Sequence, residues 1–239
     1  DAVVTLVLDE TITTGPCPND YTLVRTWTAT DNCGNETSET QNIFVFDNSI
    51  PELVGVPADL TVECDNLPAV ANPTVTDNCT STLTIDYQEV RTDGACVDAY
   101  TLTRTWTAED DCGNVVSESQ IITVEDNTNP VFTSVPGDIS VECDEIPAAG
   151  TPTATDNCDG DVEITLVETT TTGPCASDYT LVRTWTATDN CGNTATASQN
   201  VFVFDNSLPE LVGVPADETV ECDAIPTPPT VTATDNCTT

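Results

Sequence analysis

Paired Asp and Asn residues recur at matching places along the chain: Asp47 with Asn48, Asp77 with Asn78, Asp126 with Asn127, Asp156 with Asn157. Runs of the same kind surround Asp110, Asp111 and Asn114, then Asp189, Asn190 and Asn193, and Asp205 and Asp235 continue the series. These are hard oxygen donors. Several of them brought to one place suit Ca²⁺, which takes roughly six to eight oxygen ligands and would neutralise carboxylates that otherwise repel. The alternative for the same letters is turn formation with solvated carboxylates. No stretch reproduces an EF-hand loop, so a calcium assignment rests on separate loops converging.

Twelve cysteines are the second chemical resource, and they fall at 17, 33, 64, 79, 96, 112, 143, 158, 175, 191, 222 and 237. With no His to complete a zinc set and no Cys-x-x-Cys pair, they read as a disulfide framework in an oxidising compartment. Catalysis has little to draw on. The chain has no His and no Lys, so it lacks an imidazole base, a nucleophile–His pair and a Schiff-base amine. Paired carboxylates could serve glycoside hydrolysis, but no pair stands apart from the others. We therefore expect no enzyme. A net charge of −37 with four arginines excludes nucleic acid as a partner and opposes anionic membrane surfaces. No apolar run reaches the length of a membrane span, so direct membrane insertion is not expected.

The cysteine spacings of 16, 31, 15 and 17 recur without a slip, giving a period of 79 residues. The text repeats with them: residues 21–35 read YTLVRTWTATDNCGN, residues 179–193 are identical, and residues 100–114 read YTLTRTWTAEDDCGN. A longer alternation lies on top, because 43–59 and 201–217 are near duplicates while 122–138 differs. A fixed period of this kind marks a repeat architecture. The expected domains are residues 1–48 as the C-terminal part of a repeat, 49–127 and 128–206 as complete repeats, and 207–239 as the N-terminal part of a further one. Two expectations explain the partial ends: a window on a longer tandem array, or subunits that polymerise head to tail by strand donation.

Within a repeat, short Val-, Ile- and Thr-rich stretches are separated by turn residues and no helical period appears. This predicts an all-β fold of tandem Ig-like or fibronectin-like sandwiches. In the clearest strand, Tyr100, Leu102, Arg104, Trp106 and Ala108 share the inner face, with Thr residues on the other. Trp27, Trp106 and Trp185 are the expected core anchors. Arg25, Arg104 and Arg183 lie on the same face, which calls for a stem packed beside the Trp and a head paired to a carboxylate.

The repeated TWTATDNCGN, a following DN-x-x-P, a VP-x-D-x-x-VECD segment and a second TDNC together resemble the four-cysteine HYR-like, or hyalin-repeat, domains. The resemblance covers the whole chain. It implies Ig-like modules in tandem within very large secreted or surface proteins of Bacteroidetes-type bacteria, including adhesins and gliding-motility proteins. It implies an extracellular, cell-surface location and no particular ligand.

Strand direction suggests how the cysteines pair. A strand of this length far exceeds the roughly 4.4 to 6.8 Å Cα separation of a disulfide, so cysteines at its two ends cannot join. Alternating strand directions then predict Cys64 with Cys96, Cys79 with Cys112, Cys143 with Cys175 and Cys158 with Cys191, leaving Cys17 for an upstream partner.

Phe44 and Phe46, and likewise Phe202 and Phe204, sit where the middle copy has Thr123 and Glu125. They form either a contact patch on alternate domains or a surface covered by a neighbouring loop. The function expected from all of this is a structural and adhesive array, a long extracellular fibre or stalk whose partners are neighbouring repeats or protomers. The alternatives are a calcium-dependent module binding surface glycans and a strand-donating filament subunit.

Overall fold

The computed structural model describes residues 4–237, which form two compact units, Asp1–Glu125 and Asp126–Thr239. The chain is all-β. In the first unit, β1 (Thr5–Thr14), β2 (Tyr21–Thr30) and β3 (Glu36–Val45) make a three-stranded antiparallel meander. Next come β4 (Glu52–Val54), β5 (Leu60–Glu63), β6 (Thr74–Thr76), β7 (Ile85–Asp93), β8 (Tyr100–Glu109) and β9 (Val115–Glu125). These build a sandwich: β4 pairs with β6, and facing them is a four-stranded sheet ordered β5-β9-β8-β7.

The second unit repeats the plan. Its strands are β10 (Val131–Ser134), β11 (Ile139–Glu142), β12 (Thr153–Thr155), β13 (Glu163–Thr172), β14 (Tyr179–Thr188) and β15 (Thr194–Phe204). A four-stranded sheet runs β11-β15-β14-β13, β10 pairs with β12, and β16 (Glu210–Val212) pairs with β17 (Thr232–Thr234).

The period-two pattern of β8 decides which face is inside. Leu102, Arg104, Trp106 and Ala108 are buried, while the Thr residues between them are only partly so. Leu102 packs with Ile122 and Val124 of β9 and with Leu60 and Val62 of β5. β5 is parallel to β9, and side chains set its register. Asp59 accepts a hydrogen bond from the Ile121 N–H at 2.7 Å, and Gln120 Nε2 donates to the Ala58 carbonyl at 2.8 Å. Asp138 and Gln199 do the same for β11 on β15. Backbone and side-chain donors of Asn200 hold the Asp138 carboxyl below its usual range.

The inward arginines are fixed as their position requires. Arg104 Nε meets Glu89 at 2.8 Å, and its terminal nitrogens donate to the carbonyls of Pro68 at 3.0 Å and Ala69 at 3.3 Å. Arg183 meets Glu168 at 2.8 Å and the Pro147 carbonyl at 2.6 Å. Arg25, in the same fifteen letters as Arg183, meets only Glu10 and is 37% exposed against 3%. Trp27 is likewise half-buried where Trp185 is 2% exposed. The difference comes from the covering segment, which residues 128–162 supply to the second sheet and no described residues supply to β1-β2-β3.

The disulfides correct the expected pairing. Cys112 joins Cys17, with a Cα separation of 5.1 Å, and Cys143 joins Cys237 at 5.8 Å. The expected Cys79–Cys112 and Cys143–Cys175 bonds are absent, because Cys79 and Cys175 are free, as are Cys33 and Cys222. Cys64, Cys96, Cys158 and Cys191 are disulfide-bonded. Strand direction within one repeat does not decide the partner of Cys112, because that partner lies in the neighbouring repeat. A tight loop, closed by Gly15 N–H donating to the Asp20 carbonyl at 2.7 Å, carries Cys17 to the turn after β8 of the following repeat.

Phe44 and Phe46 are 71% and 66% exposed, Phe202 is 46% exposed, and Phe204 is half-buried. Among the described residues no loop covers the first pair. The double substitution Phe44→Thr with Phe46→Glu should therefore leave the melting temperature unchanged within the roughly 0.5 kcal/mol typical of surface changes; a large drop would place these rings in a core.

Candidate metal centre

Three loops at one pole of the first sandwich each begin with an aspartate, and each folds around it in the same way. In the turn after β8, Asp110 Oδ1 accepts the N–H groups of Cys112 and Asn114 at 2.8 Å, while Asn114 Nδ2 donates to its Oδ2 at 2.7 Å. Gly113, at φ +87°, makes this reversal; a side chain would be strained there. After β6, Asp77 Oδ1 accepts from Cys79 and Thr80, both at 2.8 Å. In the segment leading into the sandwich, Asp47 Oδ1 accepts from Ser49 at 3.1 Å. Turn formation and convergence are thus not alternatives: in Asp47 and Asp77 one carboxylate oxygen makes the turn and the other has no hydrogen-bond partner, while both oxygens of Asp110 accept within its own turn.

The three carboxylates meet. Asp47, Asp77 and Asp110 each offer a carboxylate oxygen within 4.8 Å of the others. Oδ2 of Asp47 and of Asp77 are buried and have no hydrogen-bond partner, and Asp47 as a residue is only 8% exposed. Burial raises the cost of charge on Asp110, but the donors of Asn114, Cys112 and Gly113 outweigh it and hold that carboxyl below its usual range. The same surroundings push the Cys79 thiol up, through burial first and then the charges of Asp47 and Asp77. Three carboxylates this close repel by about 1 kcal/mol per pair in water and by several times that when screened less. All four arginines pair elsewhere, so no side-chain cation offsets them.

The second unit builds the same centre from Asp126, Asp156 and Asp189, again within 4.8 Å. Asp156 Oδ2 is a buried oxygen with no hydrogen-bond partner, and Asn193 Nδ2 ties the turn to the Asp126 carbonyl at 3.0 Å. Six of the aspartates singled out in the sequence are therefore brought into two trios. Asn48, Asp111 and Asn127 are exposed, and Asp111 belongs to neither trio. Asp205 and Asp235 join no all-carboxylate group among the described residues, for no turn of the Asp110 kind follows them in these 239 residues. Asp205 lies instead near Glu142 and Cys237, whose sulfur is already in a disulfide.

Two segments, each carrying two of the three aspartates of a trio, a Trp strand and four cysteines, match one family description, a HYR-like domain with four cysteines, at residues 54–124 and 131–203. The chain belongs to that family. Among solved structures the HYR-like chain has loose likenesses to cadherin ectodomains. The protocadherin GammaB4 extracellular domain is 16% identical, with 92% of this chain and 46% of that chain covered at a TM-score of 0.37. Drosophila N-cadherin EC1-4 is 15% identical over 87% of this chain and 69% of its own, and human desmocollin-1 is 11% identical over 88% and 57%, both at 0.28. The HYR-like chain thus spans less than half of the protocadherin structure, and nothing about binding passes from these loose likenesses to it. No curated protein matches the chain. Among the described residues no helix is long and apolar enough to cross a membrane. Disulfide-bonded tandem domains of this kind belong to the oxidising extracellular space.

Proposed function

We propose that this HYR-like array is a structural and adhesive region, a length of fibre or stalk at a bacterial surface, whose joints are held by disulfides and stiffened by calcium. The observation that carries the reading is the Cys17–Cys112 bond. It ties one repeat to the next across a separation of 95 residues, so tension along the chain bypasses the linker between them. A domain built only to fold would staple itself internally; a bond across the joint serves an assembly that is pulled. Single-molecule stretching tests this. The oxidised chain should extend much less than the reduced chain, since residues 17 to 112 alone hide about 30 nm at roughly 3.5 Å per residue. Equal extension would remove the load-bearing reading.

Calcium follows from the donor set: acidic oxygens only, some buried and unpartnered, with water and carbonyl oxygens left to complete the shell. Millimolar Ca²⁺ should raise the melting temperature relative to chelator, by an amount corresponding to about 2.7 kcal/mol when the ion is 100-fold above its Kd. Asp47→Asn combined with Asp126→Asn should abolish the difference. An identical melt in calcium and chelator would remove the ion from the account and leave the disulfides.

A further inference from the structure

β13 is the outermost strand of the sheet ordered β11-β15-β14-β13, so one side of its backbone has no strand partner among the described residues. Edges of this kind are commonly blunted by charge, proline, a bulge or shortness, because a bare row of N–H and C=O groups is a template for pairing. β13 has none of these defences. It is ten residues long, EITLVETTTT, all but Ile164 are exposed, and its pairing with β14 runs from Glu163 to Thr172 without a register shift. Between Ile164 and Thr172 the one acid is Glu168, and Arg183 holds it at 2.8 Å. Val167 and Leu166 are 59% and 40% exposed. β7, the same strand of the other complete repeat, is a free edge too, although folded chain precedes and follows it. The open side is therefore a property of the position in the repeat. β7 guards it with Asp86, Glu89, Arg91 and Asp93, and β13 does not.

We propose that β13 pairs antiparallel with β13 of a second copy of this chain, joining two four-stranded sheets edge to edge about a two-fold axis at Val167. Charge favours this place of approach. At a net charge of −37 two copies repel over most of their surface, yet β13 and β14 together hold two glutamates and one arginine, a net −1. The letters favour this partner. Residues directly opposite in an antiparallel pair share a face, so a two-fold pair of identical strands sets one residue against its own copy. With Val167 at that point, Leu166 lies opposite Glu168, Thr165 opposite Thr169, Ile164 opposite Thr170 and Glu163 opposite Thr171. No carboxylate then faces another, and Thr165 with Thr169 is a pair of the kind that stabilises sheets. Centring the axis on Glu168 would set that carboxylate against its copy. Centring it on Leu166 or on Thr169 leaves three residues at one end of the strand unpaired. β13 is thus self-complementary in length, charge and face. One strand pair is small beside the roughly 1,200 to 2,000 Å² of stable complexes, so the dimer is a weak one whose population grows with concentration.

The pairing goes beyond the adhesive reading and does not rest on it, because it concerns how copies lie side by side whether or not they bear load or bind calcium. Sedimentation equilibrium tests it, on protein whose free thiols are capped with iodoacetamide so that no disulfide links two copies. The mass should rise from 25.3 kDa toward twice that value as concentration increases, and added salt should strengthen the association by screening the net charge. Val167→Glu and Val167→Lys, at an exposed position, each set like charges against one another on the axis, and each alone should stay monomeric. Their mixture should dimerise again, since the axis then places Glu opposite Lys. Amide hydrogen exchange in residues 163–172 should slow in that mixture. Val90→Glu, on the guarded edge of β7, should dimerise like the parent chain. A parent chain that stays at 25.3 kDa at every concentration, a Val167→Glu chain that dimerises as the parent does, a monomeric mixture, or a dimer without slowed exchange in residues 163–172 would each overturn the inference.

Discussion

Arg104→Ala should destabilise the first unit by about 2 to 4 kcal/mol, whereas Arg25→Ala should cost about 1 kcal/mol or less in the isolated chain. The two arginines occupy equivalent positions and each meets a glutamate, so the difference lies wholly in what covers them. Arg104 is 3% exposed, and its removal strands the carbonyls of Pro68 and Ala69 beneath the covering segment and opens a void beside Trp106. Each buried carbonyl left without a donor costs about 1 to 3 kcal/mol. Glu89, now held below the usual carboxylate range first by Arg104 and then by Tyr87, would return toward it. Arg25 has only its half-exposed ion pair to lose, and such pairs contribute little in solvent. Urea titration of both variants checks this, with Arg104→Lys as a third sample that keeps the charge but not the fork reaching two carbonyls. Equal shifts for Arg25→Ala and Arg104→Ala would mean that the covering segment is not what makes the position matter.

The second large effect concerns the bond between repeats. Replacing Cys17 and Cys112 together by Ser should destabilise the first unit by about 4 to 5 kcal/mol on the chain-entropy estimate for a loop near 100 residues, with roughly 2 to 4 kcal/mol the commoner measured range. Residues 95 apart in sequence are held at a Cα distance of 5.1 Å by this one link. The melting temperature should fall by roughly 10 °C or more, since 1 kcal/mol moves a domain of this size by about 3 to 5 °C. Cys33→Ser, at a free and exposed position, is the control and should change nothing. A double variant that melts with the parent protein would show that packing at the joint already does the work assigned to the bond.

Much of this architecture can be read from the letters, for physical reasons. The inner face of β8 is legible because alternation is a property of the strand alone, so Leu102, Arg104 and Trp106 declare their burial locally. The trios are partly legible because each aspartate shapes its own turn, and the three turns recur at one place in every repeat. Their membership is less so: Asp47 and Asp126 are buried while Asn48 and Asn127, in the same dipeptides, are exposed, and the letters alone do not say which of the two turns inward. Disulfide partners were not legible. Cys17 and Cys112 meet because one repeat abuts the next, and no local signal records which neighbour a loop will touch. The burial of Trp27 was illegible for a stronger reason: its fifteen-residue context is identical to that of Trp185, and the cause of the difference lies outside those letters.

The turn after β8 carries Asp110 and Cys112 two residues apart, with the Cys112 N–H donating to the Asp110 carboxylate at 2.8 Å. Five residues therefore hold both the anchor of a covalent bridge and one jaw of an electrostatic clamp. A pull transmitted through the Cys17–Cys112 sulfurs would arrive at the backbone that aims Asp110, so the proposed clamp would be geared to that load. On the proposed calcium reading, ion occupancy and tension at such a joint would be two readings of one coordinate, and a chain of these joints would report strain as cation release.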